Sequence, residues 1–81
     1  MNEIQISIRT LENAKKICNI ANEFKDIDID LQCGRYVIDL HSIMGILSTD
    51  LTKPMKVIFH SDDVLLTSSF IHKMEEFIIH E

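Results

Sequence analysis

The fold is decided by the stretch RYVIDLHSIMGILSTDL, residues 35–51. In its first half the apolar residues Tyr36, Ile38 and Leu40 recur at every second position. A period of two is typical of a half-buried β-strand, because successive side chains of a strand point to opposite faces of the sheet. The first half therefore predicts a short strand, which leads directly into the second half of the stretch.

The second half of this stretch predicts one short helix. Ser42 suits the N-cap, because its hydroxyl can accept a hydrogen bond from the free N–H groups of the first turn. At 100° per residue three apolar side chains share one face: Ile43, Met44 and Leu47. Ile46 points elsewhere, into a core. Since so short a helix does not bury two faces, the first face is expected to be an exposed surface that binds a protein partner.

The string VIDLHSIMGILSTDL, residues 37–51, resembles the region around the regulatory serine of HPr proteins. HPr proteins are the small phosphocarriers of the bacterial phosphoenolpyruvate-dependent sugar phosphotransferase system (PTS), and a Lys-Ser-Ile-Met-Gly run is typical of them there. Ser42 stands at the position of the serine, and His41 replaces the lysine. The resemblance implies that Ser42 can be phosphorylated and that His41 and the exposed face of the helix contact partners.

The residues alone favour a simpler role for Ser42. A serine at an N-cap is common and structural, and it contributes on the order of 1 kcal/mol to helix stability. When the Ser-Ile-Met-Gly context is included, phosphorylation of Ser42 is supported about as well as a purely structural role as an N-cap. Phosphate on the cap would suit the helix N-terminus, so modification need not disrupt the fold.

Three further runs alternate in the same way and predict strands: residues 4–8, 27–31 and 55–59. Gly34 marks the turn between the second and third strands of the chain. On the last strand Lys56 and His60 are expected to face outward. Asp28 and Asp30 of a neighbouring strand are predicted to lie within reach of them.

Two long amphipathic helices complete the pattern. The first is capped by Thr10 and carries Leu11 and Cys18 on its buried stripe. The last helix is expected to begin at a Ser61 cap. Its apolar arc, predicted to be buried, consists of Val64, Leu66, Phe70, Ile71, Met74, Phe77 and Ile78.

The predicted order of elements is βαββαβα, without linker or repeat, so residues 1–81 are expected to form one α+β domain. Amphipathic helices beside short strands predict an open-faced β-sandwich, in which the helices cover one face of a four-stranded antiparallel sheet. The resemblance to HPr proteins supplies the strand order 1-4-2-3. Periodicity alone does not give that order.

Composition and charge limit the classes of partner. A net charge of −5 without a basic cluster argues against nucleic acid and anionic membranes. No segment has signal-peptide character and no apolar run approaches membrane-spanning length, so a cytoplasmic protein is expected. Cys18 and Cys33 have no second pair with which to complete a zinc site, and no cofactor is predicted.

In the HPr proteins that this chain resembles, the phosphorylated imidazole lies between the first strand and the first helix, where backbone N–H groups stabilise the added phosphoryl group. That segment reads IRTLENA, residues 8–14, and contains no histidine. The four histidines lie elsewhere: His41, His60, His72 and His80. His41 is expected to be solvated or to face a partner. The series His72, Glu76 and His80 indicates a polar helix surface rather than a metal site.

These observations predict a protein that is not an enzyme. It resembles the catabolite-repression variant of HPr, which lacks the active histidine, keeps the serine and acts as a regulatory ligand. The resemblance implies protein partners such as HPr kinase/phosphorylase, PTS components or transcriptional regulators. Two alternatives stay open: a phosphoryl carrier that uses another histidine, and an interaction module unrelated to sugar uptake.

Overall fold

The computed structural model describes residues 2–80. Its elements are β1 (Asn2–Ile6), α1 (Leu11–Asn22), β2 (Ile29–Cys33), β3 (Tyr36–Asp39), α2 (Ile43–Leu47), β4 (Met55–Phe59) and α3 (Val64–Lys73), followed by one 3₁₀ turn at Glu75–Phe77. The βαββαβα order is therefore confirmed. No helix within the described residues has the length and apolar character needed to cross a membrane.

The four strands form one antiparallel sheet in the order β1-β4-β2-β3, as predicted. One row of paired residues crosses all four strands: Ile4, Val57, Leu31 and Ile38. This row belongs to the face that the helices cover. The strand connecting to α2 is thus an outer strand of the sheet, and this places α2 at one side of the molecule.

Three phenyl rings fill the space between the helices and the sheet. Phe59 and Phe70 stack with ring centroids 4.5 Å apart, and Phe24 meets both rings edge-on at 5.6 Å. Offset stacking and edge-to-face contacts are the favoured arrangements of aromatic pairs. The cluster joins β4, α3 and the end of α1 in one core.

The structure corrects the start of the last helix and the burial of two residues there. Its N-cap is Asp63, whose carboxylate accepts from the N–H groups of Leu65 and Leu66, and not Ser61. Val64 and Leu66 are exposed, as is Leu11 at the start of α1. Helical side chains tilt toward the N-terminus, so those of a first turn lean past the end of their helix, where no other element covers them.

The far end of this arc follows the prediction more closely. Phe70, Met74 and Phe77 are buried, while Ile71 and Ile78 are half-buried against the core. The α-helix ends at Lys73 and tightens into the 3₁₀ turn. Consequently the predicted helical series from His72 to His80 does not lie on one continuous helix.

The two edges of the sheet differ. Along β1, the Ser7 N–H donates to the Phe77 carbonyl at 2.9 Å, and the Ile79 N–H donates to the Gln5 carbonyl at 2.8 Å. Residues 77–79 thereby add a short antiparallel segment beside β1. At the opposite edge lies β3, with Tyr36 74% and Val37 60% exposed.

Candidate functional site: the Ser42 helix

Ser42 is the N-cap of α2, as the sequence predicts. Ser42 has extended backbone angles, φ −99° and ψ 112°, and its Oγ accepts from the Gly45 N–H at 3.2 Å. The Ile46 N–H then donates to the Ser42 carbonyl at 3.0 Å. The side chain of Ser42 is exposed while it caps the helix, so its hydroxyl can be reached from solvent.

Gly45 lets α2 approach β3 closely. A Cβ added at Gly45 would overlap Cγ2 of Ile38, a contact that real side chains do not make. On the inner side of the helix Ile46 is completely buried, as predicted. The helix therefore packs closely against β3, with Ile46 anchoring it in the core.

The outward side of α2 carries two apolar side chains, Met44 and Leu47, which we call the α2 patch. Met44 is 75% exposed and Leu47 is 39% exposed. Ile43, which the sequence places on the same face, is instead half-buried and packs against the core. The helix α2 lies beside α1 and β3, and Ile43 packs against the core that these elements share, whereas Met44 points away from it.

The sequence predicts that His41 is solvated or faces a partner; the structure shows that it is not fully solvated, and contact with a partner stays a prediction. Only 18% of its side chain is exposed. Its Nδ1 lies 2.6 Å from Oδ1 of Asp39, and its Nε2 lies 3.2 Å from the carbonyl oxygen of Phe24. Adjacent residues point to opposite faces only within a strand, and β3 ends at Asp39. His41 lies in the turn that follows, and this turn directs its imidazole inward.

The backbone around His41 joins the entry of α2 to α1. The His41 carbonyl accepts from Asn22 Nδ2 at 3.1 Å and from the Cys18 thiol at 3.3 Å. Asp39 in turn accepts from the His41 N–H at 2.9 Å, and this bond holds the pKa of the Asp39 carboxyl below its ordinary value. This network was not predicted, although an acid two residues before a histidine at a helix entry is a signal for it.

Polar groups of the loop between β1 and α1 form hydrogen bonds with other parts of the chain. Arg9 has a positive φ of 71°, which is unusual for a residue other than glycine. Its Nε donates to Ser7 Oγ at 2.8 Å, and its N–H donates to the Leu51 carbonyl at 2.8 Å. Thr10 caps α1 as predicted, with Oγ1 accepting from the Asn13 N–H at 3.0 Å.

The outer face of the sheet carries the predicted His60 contact. His60 Nε2 lies 2.8 Å from Oδ2 of Asp30, which confirms that pairing. Lys56 instead approaches Glu3 of β1, with Nζ and Oε1 3.7 Å apart. In the register of the sheet, Lys56 lies between β1 and β2, so an acid on either neighbour could have attracted it.

The two thiols are not activated. Cys18 is buried, as predicted, and burial raises its thiol pKa. Burial likewise raises the pKa of Cys33, whose sulfur lies 3.1 Å from that of Met55. Within residues 2–80 no three side chains of the metal-binding types converge on one point.

Comparisons with known proteins identify the fold. No protein-family model matches the sequence, and no curated protein is similar to it. Among solved structures, the crystal structure of HPr-C-His from Thermoanaerobacter tengcongensis matches with a TM-score of 0.72 at 22% identity. The match covers 94% of this chain and 92% of that one. The chain thus has an HPr-like fold, as the resemblance in residues 37–51 implies.

Proposed function

We propose that this chain is an HPr-like regulatory protein of the PTS that acts by binding other proteins through α2, rather than an enzyme or a histidine phosphocarrier. The observation that carries the proposal is the exposure of Met44, two residues after the accessible Ser42 cap. An apolar side chain in that position does not contribute to the core. It is suited to contact a partner that also detects the state of Ser42.

The loop between β1 and α1 supports the absence of phosphocarrier chemistry. The segment offers Arg9, Thr10 and Glu12, and none of these can replace an imidazole as a phosphoryl acceptor. Glu12 lies in the first turn of α1, where its charge would repel an incoming phosphoryl donor. The hydroxyl of Thr10 already accepts the capping hydrogen bond.

We further propose Ser42 as a phosphorylation site. The exposed Oγ lies at the N-terminus of α2, and a phosphate there would add negative charge next to the Met44 and Leu47 side chains. That charge would change which protein surface can bind the α2 patch. The partners would be HPr kinase/phosphorylase, PTS components or transcriptional regulators in the cytoplasm, and His41 would position the helix that they contact.

Incubation with phosphoenolpyruvate and the Enzyme I of the PTS tests the carrier question. We expect no labelled phosphate on this chain, because the loop histidine is missing, while a genuine HPr in the same reaction is labelled. Acid-labile phosphate on His41, His60, His72 or His80 would contradict the proposal and favour a carrier that uses another histidine.

A second experiment tests Ser42 itself. After treatment with a bifunctional HPr kinase/phosphorylase, mass spectrometry should find one phosphate on Ser42 and none in Ser42→Ala. Ser48 is the matched internal control, because its Oγ donates to the Gly45 carbonyl at 2.6 Å near the other end of the same helix. Phosphate on Ser48 and not on Ser42 would refute the site.

A further inference from the structure

The sheet has one covered edge and one open edge. Residues 77–79 form hydrogen bonds with β1, whereas no other strand within residues 2–80 pairs with the outer side of β3. An uncovered edge presents unpaired backbone N–H and C=O groups, which can pair with another strand. Within β3 there is no proline and no lysine to oppose such pairing.

The direction of the backbone groups along β3 follows from its bonds with β2. The Leu40 N–H donates to the Ile29 carbonyl at 2.9 Å, so Leu40 and Ile29 form a hydrogen-bonded pair. Such pairs alternate with non-bonded ones along an antiparallel ladder, so Ile38 also bonds to β2. Asp39, between Ile38 and Leu40, and Val37, which precedes Ile38, therefore belong to non-bonded pairs. The Asp39 carbonyl accepts from the Ser42 N–H at 3.1 Å, whereas Val37 directs its N–H and C=O away from β2, toward the open edge.

We propose that β3 of this chain pairs antiparallel with β3 of a second copy, about a two-fold axis at Val37. The two Val37 residues would then exchange both of their outward backbone hydrogen bonds. The contact is isologous, because each copy presents the same surface to the other. It joins two four-stranded sheets into one sheet of eight strands.

Charge favours a second copy over an unrelated strand. Arg35 precedes β3 and Asp39 ends it, and both side chains are exposed. With Val37 on the axis, Arg35 of each copy lies opposite Asp39 of the other, so two pairs of opposite charge flank the contact. Cross-strand pairs of opposite charge stabilise antiparallel strands, and like charges oppose them.

The same register also covers apolar surface. Tyr36 of each copy lies opposite Ile38 of the other, on the face of the sheet that carries the helices. Ile38 lines an open groove of about 600 Å³ together with Cys33, Met55 and Pro54. The exposed ring of Tyr36 would therefore cover the mouth of that groove in the partner copy. Because β3 has only four residues, we expect a dimer that dissociates on dilution.

Sedimentation velocity over a concentration series tests the proposal. Wild-type protein should show a concentration-dependent dimer, and Val37→Lys should remain monomeric because a lysine at the centre of an edge strand opposes pairing. Gln32→Lys is the matched control. It adds the same charge on the same face of the adjacent strand, directly beside Val37, and should dimerise like wild type.

Arg35→Glu replaces both attractive charge pairs with repulsive ones, and we expect a dissociation constant about tenfold higher.

A disulfide cross-link tests the register of the two β3 strands. Opposed residues in a hydrogen-bonded pair have Cα atoms about 5.5 Å apart, which suits a disulfide, so Val37→Cys should cross-link under mild oxidation and Gln32→Cys should not.

Three results would overturn self-pairing. One is wild-type protein that stays monomeric at every concentration. Another is a dimer that Val37→Lys leaves intact or that Gln32→Lys weakens equally. The third is a β3 edge whose amides become protected only when a peptide from a different protein is added. Circular dichroism of each variant checks that the fold is retained.

Discussion

At the scale of single residues, the entry to α2 depends on three neighbours that serve different purposes. Asp39 anchors the turn by accepting the His41 N–H, the His41 ring contacts the Phe24 carbonyl just after α1, and Ser42 caps the helix. Each side chain satisfies a backbone or ring group that would otherwise lack a partner at the end of an element. The position of the α2 patch is a consequence of these bonds.

Two substitutions at Ser42 distinguish the loss of the helix cap from the effect of a negative charge at that position. Ser42→Ala should lose about 0.5–2 kcal/mol of the free energy of unfolding, because the Gly45 N–H loses its acceptor. Ser42→Asp should be near neutral, because a carboxylate also caps and suits the positive end of a helix. Urea unfolding measures both. Equal losses in the two variants would remove Ser42 from the cap.

Asp39 should contribute a pH-dependent term to stability. Its folded-state pKa lies below the ordinary value of 3.8, so the ionised form stabilises the fold above that pH, and the contribution is lost as pH falls through the folded-state pKa. Asp39→Asn keeps an acceptor oxygen but removes the charge. The stability gap between wild type and Asp39→Asn should therefore narrow in urea melts taken below pH 4. Asp26→Asn, an exposed carboxylate in the loop before β2, is the control; a gap that stays constant with pH would contradict the prediction.

At the scale of elements, α2 should separate stability from binding. Met44→Ala should change the free energy of unfolding by less than about 0.5 kcal/mol, because the side chain is exposed. Leu47→Ala should cost at most about 1 kcal/mol. Ile46→Ala, which removes a completely buried side chain from the same helix, should cost about 2–5 kcal/mol. Thermal melts and a partner-binding assay measure the two properties.

The outcome decides between a binding surface and a core element. If Met44→Ala weakens binding without changing the melt, α2 presents its outer side to partners. Should Met44→Ala destabilise the protein as much as Ile46→Ala does, the α2 patch is part of the core and the proposed function loses its main support.

The sequence predicted those features of the elements that depend on local pattern. Ser42 and Thr10 are caps because hydroxyls before an apolar run satisfy free N–H groups wherever they occur. Burial at helix ends was predicted less well. Val64 and Leu11 fit the apolar arc of their helices, yet both are first residues whose side chains extend beyond the core. Periodicity describes a face of a helix, and it does not give the length of sheet available to cover it.

The ring of His41 shows a second limit of the sequence. Strand alternation placed it outward, but the strand ends at Asp39, and the turn that follows directs the ring toward Phe24. Asp39 is a local partner that the sequence shows, but the carbonyl of Phe24 meets the ring only in the folded chain. The strand order likewise depended on a resemblance, because pairing of β1 with β4 is a long-range contact that no local pattern encodes.

At the scale of the whole molecule, closure of the β1 edge should contribute measurably to stability. Ile79→Pro removes the N–H that donates to the Gln5 carbonyl and should cost about 0.5–1.5 kcal/mol. Faster hydrogen exchange at the Ser7 amide, whose acceptor is the Phe77 carbonyl, should accompany the loss. His80→Pro, one residue further along, is the control. If hydrogen exchange at the Ser7 amide is unchanged in Ile79→Pro, the bonds of Phe77 and Ile79 to the β1 side of the sheet form independently of each other.

The contact between Gly45 and Ile38 imposes a constraint on how this sequence can vary. A side chain at Gly45 would overlap Ile38, so either Ile38 or α2 must shift, and a saturation library selected for folding should be strongly enriched in glycine at this position. Met44, which adjoins Gly45, should tolerate most substitutions in that selection and few in a selection for partner binding. Two neighbouring positions would then vary under separate constraints, position 45 under the requirements of the fold and position 44 under those of partner binding.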